Sequence, residues 1–227
     1  VCALSAAALL ILGCEKNEYD DGPGNPGQVS EAAKTAFETK YPGAQNVRWT
    51  VKGEHAVANF SLSTTDAESA SEGQSDAWFR NGNGVWDMTA TNLRITDLPE
   101  AVQEGFRASK YGDETLWTPT GKCDRLERRD VMLPTADGKS IVVYVIGVES
   151  ASAKGVKTTL DVYFSEDGIL VNEVAGAPDN GYEDQLPQQP QGSVEQYLQT
   201  NIVDKGGRVI EIDAETVSYT HLRAHET

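Results

Sequence analysis

The chain has 227 residues, 39% of them hydrophobic, and a formal net charge of -16. That apolar share is too high for a disordered acidic tail, and the 24% of charged residues is too many for a multi-span membrane protein. The acid excess argues against nucleic acid, whose phosphates need a basic footprint, and against docking on anionic lipid by charge; a self-repelling, solvated surface accounts for it, and so would binding to a basic partner.

The chain opens with VCALSAAALLILGC, an uncharged apolar run over residues 1–14. It is shorter than the ~20 residues a membrane-crossing helix needs, and it has the length of the apolar core of a secretory signal. Its ending, Ile11-Leu12-Gly13-Cys14, resembles a bacterial lipobox. That resemblance implies that Cys14 is diacylated and becomes the first mature residue, tied to a membrane by its acyl chains. No initiating Met or basic segment precedes the run, so the native chain is expected to start earlier. Residues 15–28 are acidic, rich in Pro and Gly, and without apolar periodicity; they read as a flexible leash. An acidic run after a lipidated Cys also resembles the surface-export signal of some Gram-negative envelope lipoproteins.

Three short amphipathic helices follow. In SEAAKTAFETKY, Ser30 is the expected N-cap, and Ala33, Phe37 and Tyr41 recur every four residues on one face. In LPEAVQEGFRASKY, Pro99 suits the first helical position, and Val102 and Phe106 are four apart. In SVEQYLQTNI, Ser193 and Gln196 make a capping-box pattern, and Val194, Leu198 and Ile202 line one side. A turn follows each helix, at Pro42-Gly43, Gly112-Asp113 and Gly206-Gly207, and strand-like alternation then begins.

In the first unit HAVANFSLS places Ala56, Ala58, Phe60 and Leu62 on one face, and SDAWFRNGNGVWDMTA reads as a hairpin turning at Asn81 to Gly84. In the second unit SIVVYVIGV is a nearly continuous apolar strand, and TTLDVYFSEDGILVNEV is a hairpin turning at Asp167-Gly168. An extra strand is expected in the second unit's insertion at 118–139, over CDRLERRDVML. The repeat therefore reads as one helix and three strands. Helices this short need an apolar sheet to lie on, which makes the class α+β with antiparallel sheets. The expected boundaries are 29–97 for the first unit, 98–176 for the second, 177–192 for a Pro- and Gln-rich linker, and 193–216 for a third unit cut short after its first strand, RVIEIDAET. The last eleven residues, VSYTHLRAHET at 217–227, resemble the in-frame translation of a transposon mosaic-end sequencing adapter. On that reading His221 and His225 have no biological role, and native sequence continues beyond about Thr216 into strands not present here.

Little chemistry remains. His55 is then the sole histidine, with no obvious carboxylate or nucleophile beside it in sequence, and Cys123 reads as a surface or half-buried free thiol. There is no nucleophile elbow, phosphate loop or dinucleotide fingerprint. NGNG and SEDG lack the ladder of oxygen ligands of a calcium loop. No catalytic residue, metal site, cofactor or small-molecule substrate is expected, and the chain reads as no enzyme. For partner binding the candidates are Trp78 and Trp86, from an aromatic face, and Arg125, Arg128 and Arg129, the one basic cluster on an acidic chain. Trp78 and Phe79 are adjacent in a strand, so they must point to opposite faces. The arginines read either as a solvated strand edge or as a docking patch for an acidic partner.

A helix ending in KYPGA, then NVRW, then DAWFRNGNGVWDM, then a second helix opening with LPEAV resembles the PepSY-like family, also described as beta-lactamase-inhibitor-like proteins of Gram-negative envelopes. The resemblance covers about residues 29–216. It implies tandem α+β repeats, with helices packed on a curved antiparallel sheet, in an exported lipoprotein of the outer membrane, facing the periplasm or the cell surface. It brings no established activity. The expected role is a non-catalytic module that binds another envelope protein, inhibiting a peptidase or other hydrolase, or else a structural or accessory subunit of a surface or nutrient-uptake complex.

Overall fold

The computed structural model describes residues 28–62, 73–132, 140–150, 157–175 and 181–210. The apolar leader with Cys14, nearly all of the leash and the tail from 211 lie outside the described residues. The elements in chain order are α1 (Glu31–Lys40), β1 (Ala44–Lys52), β2 (His55–Leu62), β3 (Gln74–Arg80), β4 (Trp86–Asn92), α2 (Glu100–Ala108), β5 (Trp117–Arg129), β6 (Ser140–Ser150), β7 (Thr159–Ser165), β8 (Leu170–Ala175) and α3 (Ser193–Asn201).

The class is α+β, as expected. All eight strands form a single antiparallel sheet in the order β1 to β8, each strand pairing with its neighbour in sequence. Two expectations are corrected. Each of α1 and α2 is followed by four strands, because a further strand runs through NVRWTV after α1 and begins at Trp117 of ETLWTP after α2. The strand expected in the insertion forms over Cys123–Arg129, but as part of a longer one. Trp117 to Arg129 runs as one strand, with a register shift between Pro119 and Cys123 where Gly121 takes φ +93°.

The two helices lie on the same face. Around α1, Val29, Ala33 and Phe37 are buried with Ala56, Ala58, Phe60, Ala77 and Phe79. Around α2, Leu98 and Val102 are buried with Cys123, Val142, Tyr144, Ile146, Val148, Val162 and Phe164. Residues paired across strands point to one side of a sheet. The pairs Ala77↔Thr89, Thr89↔Glu127 and Glu127↔Val142 carry one face from the α1 half to the α2 half. On the opposite face Val57, Trp78, Met88, Ala90, Leu126, Val143, Val145 and Tyr163 form a second buried cluster. Trp78 and Phe79 do fall on opposite faces, as adjacency requires.

Local signals account for most of the joints. The Ser30 hydroxyl accepts from Ala33 N at 3.1 Å and caps α1. Pro99 stands at the N-cap of α2, one residue before the position expected for it. The capping box of α3 does not form: Gly192 is the N-cap, and Ser193 is already helical. Val194, Leu198 and Ile202 still share one side of α3, packed with Val131, Met132 and Val209. The strand expected at RVIEIDAET is absent over 208–210; its remainder lies outside the described residues.

Each hairpin turn butts against the start of a helix. Gly84 has φ +72°, and a Cβ there would lie 2.4 Å from Ala32 O; Gly168 has φ +76°, and its Cβ would lie 2.0 Å from Ala101 O. A Cβ on Gly105 in α2 would meet Gly168 O at 1.8 Å. Helix and sheet thus touch backbone to backbone, and only glycine permits that distance.

Two expected outcomes follow from this packing. The Phe37 ring is 3% exposed and has four aromatic neighbours, centroids 5.0 to 6.1 Å away, whereas Phe106 is only partly buried and has Phe164 at 6.1 Å. Phe37→Ala should therefore cost about 3–5 kcal/mol in urea unfolding, and Phe106→Ala about 1–3 kcal/mol. Gly105→Ala should lower the melting temperature, although alanine in an open helix would stabilise it by roughly 1 kcal/mol; a rise would contradict the contact with Gly168.

Candidate binding face

A sheet that is apolar on both sides needs a second cover. On the face away from α1 and α2 that cover is a strap, residues 181–186, joined by Ile210. Tyr182 is 7% exposed and sits inside the second cluster, and Leu186 and Ile210 pack against it. A single 3-10 turn spans Glu183–Gln185. Side chains fasten the strap to two strands, β1 and β5. The Tyr182 hydroxyl donates to Asp124 Oδ2 at 2.6 Å, with Lys122 Nζ 4.7 Å from the ring centroid. Glu183 pairs with Lys52 at 3.1 Å. The Arg128 guanidinium donates to Gln185 Oε1 at 3.2 Å and to Ile210 O at 2.8 Å. The stretch expected to be linker is in this part a packed element, since Tyr182, Gln185 and Pro190 are buried.

The seating carries two costs. Tyr182 lies in the left-handed region, φ 64° and ψ 30°, which a side chain with a Cβ occupies at about 1–2 kcal/mol. The indole N–H of Trp78, 1% exposed, has no acceptor among the described residues. A buried donor left unpaired costs about 1–3 kcal/mol. The edge of that indole faces the strap, with Cζ2 3.5 Å from where a Gly181 Cβ would stand. Burial raises the pKa of the Tyr182 hydroxyl, and the neighbouring Asp124 charge raises it further, so the phenol stays protonated and donating at every physiological pH.

Towards the β1 edge the same face is uncovered and polar. Gln74 donates to Asn59, and Asn59 donates to Asp76 at 2.8 Å. Deeper in, Asn92 donates to Asp124 at 3.2 Å, and Lys122 pairs with Asp161 at 2.7 Å. The face therefore grades from the exposed Gln74 and the half-buried Asn59 and Asp76 to a covered apolar centre.

The five residues expected to bind a partner do not form one patch. Trp78 and Arg128, 1% and 6% exposed, lie on the open face beneath the strap. Trp86 lies on the helix side, its N–H donating to Thr89 Oγ1 at 2.8 Å and its ring 3.8 Å from Lys40 Nζ. Arg125 is paired with Glu127 at 2.8 Å, and Arg129 with Asp87 at 2.8 Å. The strand-edge reading of these arginines is corrected, because β5 is interior, flanked by β4 and β6. Arg125 and Arg129 neutralise carboxylates within the fold, and alternation sends Arg128 to the other side from its neighbours.

Two further expectations change. His55 does have a carboxylate: its Nε2 is 3.1 Å from Asp87 Oδ2, and Asp87 also accepts from Arg80 and Arg129. Asp87 sits where the β3–β4 register slips, so sequence spacing gives no hint of the pairing. Burial raises its pKa, but hydrogen bonds from His55, Arg80 and Arg129 outweigh burial and leave it below the usual carboxylate value. Cys123 is not half-buried; it is 1% exposed on the helix side, and burial, with Asp124 and Asp97 adding to it, pushes its thiol up to about 12. A thiol so placed is not a nucleophile at neutral pH. Among the described residues no group of three His, Cys, Asp or Glu could hold a metal ion, and no helix is long and apolar enough to cross a membrane.

Asp87 gives a pH-dependent outcome. Its folded pKa is lowered, so its stabilising contribution is present above the ordinary carboxylate range near pH ~4 and is lost as pH falls through the lowered value. Asp87→Asn should cost about 3 kcal/mol at pH 7, and the gap to wild type should close in acid when both are unfolded in urea. A gap that stays constant down to pH ~2 would contradict the assignment.

No family model matches the chain, and no curated protein matches it. Solved structures do. A BLIP-like protein from Bacteroides fragilis is 28% identical, with 67% of this chain and 92% of that chain covered and a TM-score of 0.50. A DUF2874 family protein from Bacteroides ovatus is 21% identical, with 66% of this chain and 89% of that chain covered and a TM-score of 0.50; it shares the fold alone. The chain is thus similar to a BLIP-like protein in architecture, eight antiparallel strands with helices on one face.

Proposed function

We propose that this protein is a non-catalytic, lipid-anchored protein-binding module of a Gram-negative cell envelope, gripping its partner with the sheet face that α1 and α2 leave free. The likeness to the BLIP-like protein carries this reading, and the graded open face is the surface that fits it. A binding role is also supported by where the reactive side chains lie. His55 is held by Asp87 at one end of the sheet, and Cys123 is buried on the other face, so the two cannot act together. The partner's contact surface is basic, to complement a chain of net charge -16 and the Asp76 end of the face. Inhibition of a peptidase or other hydrolase is the form of binding that the inhibitor-like resemblance supports. The anchor is Cys14, with residues 15–28 as the leash.

Membrane fractionation and affinity capture test the two halves of this reading. Cys14→Ser, expressed from the full gene, should move the protein from the membrane to the soluble envelope fraction. The leash-tethered wild type should capture a basic envelope protein that Asp76→Lys no longer retains. Capture of uptake-complex subunits instead would favour the accessory-subunit alternative. Retention unchanged by Asp76→Lys would place the contact elsewhere.

A further inference from the structure

The strap makes the contacts of a bound peptide although it belongs to the same chain. One buried aromatic anchor, Tyr182, enters the apolar cluster and donates to a carboxylate at its floor. An amide, Gln185, meets a buried guanidinium three residues on, and an aliphatic residue, Leu186, closes the contact. An outer ion pair, Lys52–Glu183, is 40% and 49% exposed. A buried aromatic or arginine contact ringed by weak exposed pairs is the anatomy of a protein–protein interface. Two backbone hydrogen bonds of the strap are local, Gln185 N to Tyr182 O and Leu186 N to Glu183 O, and Gln185 O accepts from Arg128 Nη1 at 3.5 Å. Its fit is also incomplete, since Tyr182 is left-handed and the Trp78 N–H has no acceptor among the described residues.

We propose that residues 181–186 are a built-in occupant of the binding face, and that a partner polypeptide presenting a phenol, an amide three residues later and then an aliphatic side chain displaces them. The proposal rests on the reading of this face as a binding surface and adds its ligand chemistry and its regulation. A partner wins by supplying what the strap lacks: a carbonyl or carboxylate oxygen for Trp78 Nε1, and a phenol delivered from extended backbone to Asp124. Until then the apolar centre, with Trp78, Met88 and Leu126, stays covered, and the protein carries a sticky surface without exposing it. A ligand must displace the strap before it binds, so apparent affinity falls by the fraction of chains that are open.

The test uses the full chain and a fluorescein-labelled peptide of sequence GYEDQLPQ, which copies residues 181–188. Anisotropy should show the full-chain double variant Tyr182→Ala/Leu186→Ala binding this peptide at least tenfold more tightly than wild type does. The same peptide with Phe in place of Tyr should bind at least tenfold more weakly, since Asp124 Oδ2 then loses its phenol donor. Equal binding by wild type and a cooperatively melting double variant overturns the proposal, and so does indifference to the Tyr-to-Phe change. Should the double variant not fold, hydrogen exchange on wild type decides. The amides of Gln185 and Leu186 should exchange at least a hundredfold faster than those of Val142 to Val148, and equal protection overturns the proposal. Neither measurement needs the envelope partner. Their failure leaves the binding-module reading standing, and failure of envelope capture leaves theirs intact.

Discussion

Strand β6 buries every side chain from Ile141 to Ile146, on both faces of the sheet. No solvated surface can host such a strand, so each side of the sheet must be covered where β6 lies. α2 covers one side through Val102 and its neighbours, and the strap and Ile210 cover the other. Both covers are brought by the chain itself, one a regular helix fastened by glycine contacts, the other an irregular segment fastened by polar side chains. The difference in how they are fastened separates the permanent layer from the one suited to exchange.

Charge inside this fold is local and paired. Asp87 gathers His55, Arg80 and Arg129 at one end of the sheet, and Asp124 takes Tyr182 and Asn92 near its centre. These carboxylates fix register and orientation, a role that buried ionic groups fill only when their partners are in place. The long-range acidity belongs to the surface, where it favours basic partners and keeps copies apart.

Most of the fold was legible because its signals are local. The four-residue spacing of Ala33, Phe37 and Tyr41, the alternation of Ala56, Ala58 and Phe60, and the Asp167-Gly168 turn each specify a structure within a few residues. The number of strands per unit was less legible. WTPTGKCDRLERR carries Pro and two lone turn residues, and only a bulge at Gly121 lets it run as one strand. The binding face was hardly legible at all. Its parts come from Lys52, Trp78, Asp124, Arg128 and Tyr182, and nothing short-range links a tyrosine in a polar, Pro-rich stretch to an aspartate 58 residues earlier. Arg125, Arg128 and Arg129 were visible as a cluster, but sequence proximity cannot say that alternation divides them between two faces. The one usable hint was the aromatic residue itself, out of place among Asp, Gln and Pro.

The order of the strands has a consequence for how the chain acquires its shape. Every pairing joins strands adjacent in sequence, so the sheet can grow strand by strand from the N-terminal end, with a long connection, the one carrying α2, only between β4 and β5. The segment that roofs the apolar centre reaches back to Lys52, Trp78 and Asp124 and cannot arrive until the strands beneath it exist. For an interval during biosynthesis the nascent sheet stands uncapped, its apolar centre open to water.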